Sequence, residues 1–127
     1  MGFDIYGYKI GESVIYCVSP PHLVNTLNGQ SIRLRETMSE LLRFLIDNAY
    51  MTKVNDKEIM EEVFECRGLR CSHQRLWQAV NTLEKYLTRV GMVRKLTCRV
   101  DGNGYAILNV TISSLYYFGN EELTDNT

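Results

Sequence analysis

Residues 72–104 decide the fold and read SHQRLWQAVNTLEKYLTRVGMVRKLTCRVDGNG. Apolar residues recur in the first half at three- and four-residue steps, which predicts an amphipathic helix, and they are Leu76, Ala79, Val80, Leu83 and Leu87. Ser72 is a favourable N-cap residue, and Gly91 favours a helix end. The stretch therefore predicts a helix over about 72–89.

The second half of the same stretch changes to a period of two, which is typical of a β-strand. Apolar positions 96, 98 and 100 alternate with Lys95, Thr97 and Arg99. The turn DGNG at 101–104 reverses the chain, and residues 105–112 are predicted to return as the partner strand. A hairpin over 93–112 therefore follows the helix, with the three polar side chains on its solvent face.

Upstream of this stretch, the pattern predicts short strands and then two more helices. The strands lie near 6–10, 13–18, 23–27 and 31–34, and Asn28-Gly29 is a strong hairpin signal. A capping box at 37–40 begins the first helix, which extends to about Asn48, and Asn55 caps the second. We predict an α+β domain over 1–118, with an N-terminal antiparallel sheet, three helices and a C-terminal hairpin, and a flexible tail over 119–127.

The totals are those of an ordinary globular protein, with 127 residues of which 45% are hydrophobic. No window approaches the 18 apolar residues of a membrane helix, and the N-terminus lacks the pattern of a secretory signal. The four cysteines form no Cys-x-x-Cys pair, which suits reduced thiols. We expect a cytoplasmic protein.

Basic residues are concentrated in one part of the chain. The formal net charge is only −1, yet residues 67–99 contain eight basic residues against the single acid Glu84. Such asymmetry favours a surface that binds a polyanion, although a solvated basic surface without a partner gives the same pattern.

The predicted third helix also carries a polar face opposite its apolar face. At 100° per residue, four polar side chains fall in one line there, and they are Gln74, Gln78, Asn81 and Lys85. Arg75 and Thr82 flank that line on one side and Trp77 on the other. Asn and Gln pair bidentately with adenine edges, and Lys or Arg suits guanine or phosphate, so this face is suited to the major groove.

Taken together, these segments resemble the OmpR/PhoB-type winged-helix domain, in particular that of ToxR- and CadC-like bacterial transcription regulators. The resemblance spans roughly residues 7–108 and rests on the order and spacing of four segments, which are LNGQSIRL at 27–34, VNDKEIMEEVF at 54–64, VNTLEKYL at 80–87 and GNGY at 102–105.

The resemblance implies sequence-specific binding of double-stranded DNA, without catalysis, metal or cofactor. It places the third helix in the major groove and makes the hairpin a wing. Base or phosphate contacts would come from the helix, and they are Gln74, Arg75, Trp77, Gln78, Asn81, Thr82 and Lys85. It assigns wing contacts to Arg99 and the turn, and the 65–71 loop would lie where the family touches RNA polymerase. The alternating pattern of the hairpin adds Lys95 and Thr97 to the candidate wing contacts.

Several alternatives remain open at this stage. Family members often carry basic residues where this chain has Thr82, Glu84 and Asp101, so the same fold could instead be an interaction module that binds another regulator. Trp77 fits either base stacking or a contact in a homodimer. A third reading, a small enzyme or zinc protein, rests on Cys66, Cys71 and His73, whose spacing is not that of a zinc finger.

Overall fold

The computed structural model describes residues 3–118, which begin with four antiparallel strands. These are β1 (Phe3–Ile10), β2 (Val14–Cys17), β3 (His22–Asn25) and β4 (Ser31–Arg33). The last strand of the chain, β8 (Ile112–Phe118), pairs with the free edge of β1 and completes the order β4-β3-β2-β1-β8. The N-terminal sheet therefore has five strands rather than four, because the C-terminal segment returns to it.

Three helical segments follow the first four strands. Helix α1 spans Glu36–Ala49, and α2 spans Asp56–Ile59 before it continues as a π-helical turn (Met60–Phe64) and a 3-10 turn (Glu65–Arg67). Helix α3 spans His73–Arg89, close to its predicted bounds. The side chain of Ser72 caps it as predicted, since its Oγ accepts a hydrogen bond from the Arg75 amide at 3.1 Å.

The predicted capping box at 37–40 is wrong. Helix α1 starts two residues earlier, with Arg35 at the N-cap position and no side-chain capping bond. Ser39 is buried instead, and its carbonyl accepts a hydrogen bond from the Tyr16 hydroxyl at 3.0 Å. Thr37 and Glu40, to which the local pattern assigned the capping bonds, therefore lie inside the first turns of α1.

A second, three-stranded sheet forms the wing. Its strands are β5 (Lys53–Asn55), β6 (Cys98–Val100) and β7 (Gly104–Ala106), in the order β5-β7-β6. The hairpin predicted over 93–112 is therefore too long, because only 98–106 form it and residues from Ile112 onward belong to the N-terminal sheet. At Gly104, a β-carbon would lie 2.7 Å from the Val54 carbonyl oxygen, so this close approach of β5 and β7 requires glycine.

The core lies between the N-terminal sheet and the helices. Helix α3 contributes most of its apolar stripe, in which Leu76, Val80, Leu83 and Leu87 are each at most 3% exposed. Facing them are side chains of the sheet and α1, such as Tyr16, Leu42 and Leu45, all fully buried. This packing fixes which side of α3 faces outward. Within residues 3–118, no helix has the length and apolar character needed to cross a membrane, and the predicted tail at 119–127 lies outside the described residues.

Candidate nucleic-acid interface

Helix α3 presents its predicted polar face to the surface. Gln74, Gln78 and Lys85 are exposed, and Asn81 is half-buried. None of these four lies in the core, because the opposite side of the helix carries the buried leucines. Of the flanking residues, Arg75 is exposed, Thr82 is half-buried, and 57% of Trp77 is exposed.

A shallow groove of about 750 Å³ runs along this face of α3. One side is formed by the helix itself and the other by the segment that leads from α3 into the wing, which contributes the exposed Lys95. The groove is lined by Trp77, Gln78, Asn81, Thr82, Glu84, Lys85, Thr88, Arg89 and Lys95. Helix and wing base therefore face the same side of the molecule.

The carboxylate of Glu84 anchors the start of the wing to α3. It is 7% exposed, and its oxygens accept hydrogen bonds from the amides of Leu96 and Thr97, both at 2.9 Å. The Thr97 hydroxyl donates a third bond at 2.6 Å. The prediction that Thr97 projects into solvent is wrong, because this carboxylate draws both its amide and its hydroxyl inward. Thr97 is therefore buried and not available at the surface of the wing.

A second carboxylate, that of Asp56 at the start of α2, fixes the wing from the other side. It is 3% exposed, and Arg99 donates to both of its oxygens at 2.7 Å. The Asp56 amide also donates to the Asn103 carbonyl in the wing turn at 2.9 Å. The same carboxylate lies 3.4 Å from Nδ1 of His73, the first residue of α3. Asp56 thus joins the wing to the beginnings of α2 and α3.

Arg99 is held in place by more than the ion pair. Its guanidinium donates to the Gly102 carbonyl at 2.9 Å and lies 4.6 Å from the centre of the Tyr105 ring. The hydrogen bond to Asp56 is the main reason that the pKa of Arg99 is raised above its ordinary value. Since 41% of the side chain remains exposed, Arg99 still reaches the surface while it positions the wing.

Most of the basic residues of segment 67–99 are free of ion pairs. Arg67 pairs with Glu40 of α1 at 3.2 Å, and Arg99 pairs with Asp56. The other six form no ion pair with any residue in the described part of the chain, and they are Arg70, Arg75, Lys85, Arg89, Arg94 and Lys95. Their charge is available to an anionic partner.

The zinc reading of Cys66, Cys71 and His73 is not supported. Among residues 3–118, no three His, Cys, Asp or Glu side chains are grouped so as to hold a metal ion. The Cys66 thiol donates to the Glu62 carbonyl at 2.9 Å, whereas His73 faces Asp56. The four cysteines are free thiols.

Sequence reasoning missed the roles of Glu84 and Asp56. Glu84 was counted as a departure from a basic pattern, and Asp56 was seen only as part of a helix start. One signal was present in the sequence, since an acid within an otherwise basic segment invites the question of what it binds. Its partners, however, lie 12 and 13 residues away in an irregular segment.

No family model and no curated protein sequence matches the chain. Its structure is similar to the DNA-binding domain of Escherichia coli CadC, with a TM-score of 0.72 at 16% identity over 90% of this chain and 100% of that chain.

The structure is also similar to the C-terminal domain of the nisin resistance regulator NsrR, a lantibiotic response regulator. There the TM-score is 0.53 at 17% identity, over 84% of this chain and 91% of that chain. The chain therefore has the winged-helix fold that these two domains share, as the sequence predicted.

Proposed function

We propose that this chain is a sequence-specific DNA-binding domain of a bacterial transcription regulator, acting in the cytoplasm by binding and without catalysis. The observation that carries the proposal is the outer face of α3, where amide side chains and Lys85 stand clear of the core beside unpaired cations. The CadC domain, to which the fold is similar, is named as DNA-binding. That name supports the proposal, and the amide and basic side chains on α3 are groups suited to bind DNA.

Base reading is assigned to the amide line on α3. A helix of 17 residues is about 25 Å long and fits lengthwise in the major groove, which is about 12 Å wide. Gln74, Gln78 and Asn81 would offer paired donors and acceptors to adenine edges, and Lys85 a donor to guanine or phosphate. Trp77 would lie against sugar or base at one side of that line, and Thr82 at the other.

Phosphate binding is assigned to the cations around the α3 groove. Arg75 would contact the backbone near the start of the helix, and Lys95 near the base of the wing. Arg99 would contribute a smaller share, since its guanidinium already donates to Asp56 and Gly102. Such contacts fix the position of the domain on the duplex, whereas α3 supplies the sequence preference.

One argument for a protein-interaction module is weakened. That argument was the presence of the acids Glu84 and Asp101, which would repel DNA. Glu84 is engaged inside the protein, and Asp101 lies 3.4 Å from the Lys53 ammonium. Asp101 is thus paired with a cation, and the Glu84 carboxylate, although it lines the α3 groove, is turned toward donors inside the protein.

A protein partner is proposed for the loop 65–71, outside the DNA face. All of its residues are exposed except the half-buried Cys71, and Leu69 keeps 43% of its surface accessible. An exposed leucine among polar residues is suited to contact RNA polymerase while α3 is on DNA.

The test is a gel-shift titration of the full chain with mixed duplex DNA, first at low salt and then at increasing salt. The proposal predicts retardation at low salt and a linear fall of log affinity with log salt, with a slope of about −0.9 per phosphate contacted. Absence of retardation at low salt would contradict DNA binding and favour the interaction module.

A further inference from the structure

A second cavity lies on a flank of α3 that adjoins the proposed DNA groove. Its volume is about 300 Å³, within the size range of small-molecule sites. The start of α1, the end of the π-helical turn and one flank of α3 enclose it, and the lining residues are Arg35, Thr37, Met38, Leu41, Phe64, Ala79, Thr82 and Tyr86.

The interior of this cavity is apolar. Leu41 is 1% exposed and Phe64 5%, so both are buried parts of the wall, and Met38 and Ala79 add further apolar surface. An apolar ligand group placed there leaves water for a surface made of carbon atoms, which is favourable.

A single formal charge lines the cavity, that of Arg35. The side chain is exposed and forms no ion pair with any residue from 3 to 118, whereas the neighbouring Glu36 pairs with Arg67 at 3.6 Å. A guanidinium at the edge of an apolar wall selects an anion with an apolar body, because its planar donors match a carboxylate.

The helix that supplies Phe64 is irregular at this point. After Ile59 the chain leaves α-helical pairing for the π turn Met60–Phe64, and Phe64 is its last residue. π turns are rare and often mark functional sites, because they displace a side chain from its regular position. Here the turn ends at Phe64, which is part of the cavity wall.

We propose that this cavity binds a small apolar carboxylate, with its hydrocarbon part against Leu41 and Phe64 and its carboxylate on Arg35. Such a ligand would touch the reading helix. Thr82 lines both this cavity and the α3 groove, and its hydroxyl donates to the Gln78 carbonyl at 2.9 Å. The consequence that the ligand alters DNA affinity rests on the function proposed above, whereas the binding site does not.

The experiment follows methionine methyl groups of the full chain by NMR while benzoate is added. Met38 lines the cavity, whereas Met51 and Met92 do not and serve as internal controls. We expect a saturable shift of the Met38 signal alone. Arg35→Gln should weaken benzoate binding roughly tenfold and leave binding of neutral benzyl alcohol unchanged. Arg33→Gln, at another exposed arginine that does not line the cavity, should have no effect.

Two results would overturn the site: a Met38 signal that does not shift up to high benzoate concentration, or equal benzoate affinity in Arg35→Gln. The coupling is measured separately, by titrating DNA with the benzoate-saturated protein, and an unchanged DNA affinity refutes it. If benzoate binds and no DNA does, the proposed function fails and the cavity assignment stands.

Discussion

The outer face of α3 and the wing are both polar in sequence, yet the folded chain uses them differently. On α3 the side chains that were predicted to face outward remain at the surface, and Gln74, Gln78 and Lys85 are exposed. On the wing, two of three predicted side chains are engaged within the protein, Thr97 by Glu84 and Arg99 by Asp56. The polar side chains on the outer face of α3 are thus available to a ligand, whereas those of the wing mainly hold the wing in place.

The difference arises from where each element finds its hydrogen-bond partners. A helix satisfies its own backbone, so its outer side chains are not needed for folding. The segment before β6 is irregular, and the amides of Leu96 and Thr97 need acceptors from elsewhere. The buried carboxylate of Glu84 supplies both acceptors.

The largest effect is expected for Glu84→Ala. It leaves two amides and one hydroxyl without their acceptor in a buried position, which should lower the free energy of unfolding by about 3 kcal/mol. Denaturant unfolding measures this. Glu61→Ala, at an exposed acid, is the control and should change stability by less than about 0.5 kcal/mol. Equal effects in the two variants would mean that Glu84 does not anchor the wing.

Gln78→Ala tests the free helix face. We expect stability to stay within about 0.5 kcal/mol, because the side chain is exposed. Affinity for a preferred duplex should fall by about 1–3 kcal/mol, with little loss on random DNA. Competition gel shifts with both duplexes give the two numbers. An equal loss on both would remove Gln78 from base reading.

Asp56→Asn tests the second anchor of the wing. The variant keeps the shape of the side chain and loses the charge that Arg99 contacts. The free energy of unfolding should therefore fall by about 1–2 kcal/mol, and the partial exposure of Arg99 keeps this loss small. DNA affinity should fall alike for all sequences, because the contacts proposed for the wing are with the phosphate backbone. The control is Asp47→Asn, whose carboxylate lies 4.0 Å from Arg43 on the surface and should contribute little.

Lys95→Ala should distinguish the contribution of the wing base to DNA binding from that of α3. Lys95 is exposed and without an ion pair in the described chain, so its removal should cost one phosphate contact and leave sequence preference unchanged. The salt slope should become less steep by about one unit. A changed base preference would instead place Lys95 among the reading residues.

The smallest expected effect is on the pH dependence of stability, and it involves Tyr105, which lies beneath Arg99 in the wing. Burial raises the pKa of this phenol above its ordinary value of 10.0. The folded chain therefore keeps a proton that the unfolded chain loses, and stability should decline as the pH rises above 10.0. Tyr105→Phe should reduce that decline in alkaline denaturant titrations. An equal decline in the variant would show that other groups cause it.

The sequence alone predicted the fold class, the three helices and the outward side of α3. These follow from local periodicity, since buried Leu76, Leu83 and Leu87 determine which residues face away. The cap at Ser72 was also correct, because its partner lies three residues along the chain.

Local sequence patterns could not predict the features of the fold that depend on long-range contacts. The extent of the wing depends on the pairing of Ile112 with Ile10, about a hundred residues away. The anchoring of Arg99 depends on Asp56, 43 residues earlier. An alternating pattern shows which side chains share a face of a strand, but it does not show that a carboxylate from another element covers that face.

Selection of bound duplexes from a random pool shows whether α3 reads DNA sequence. We expect an enriched motif with adenine positions, altered in the pool selected by Gln78→Ala and retained in the pool selected by Lys95→Ala. Bound duplexes without any enriched sequence, or an unaltered motif with Gln78→Ala, would refute sequence reading by α3.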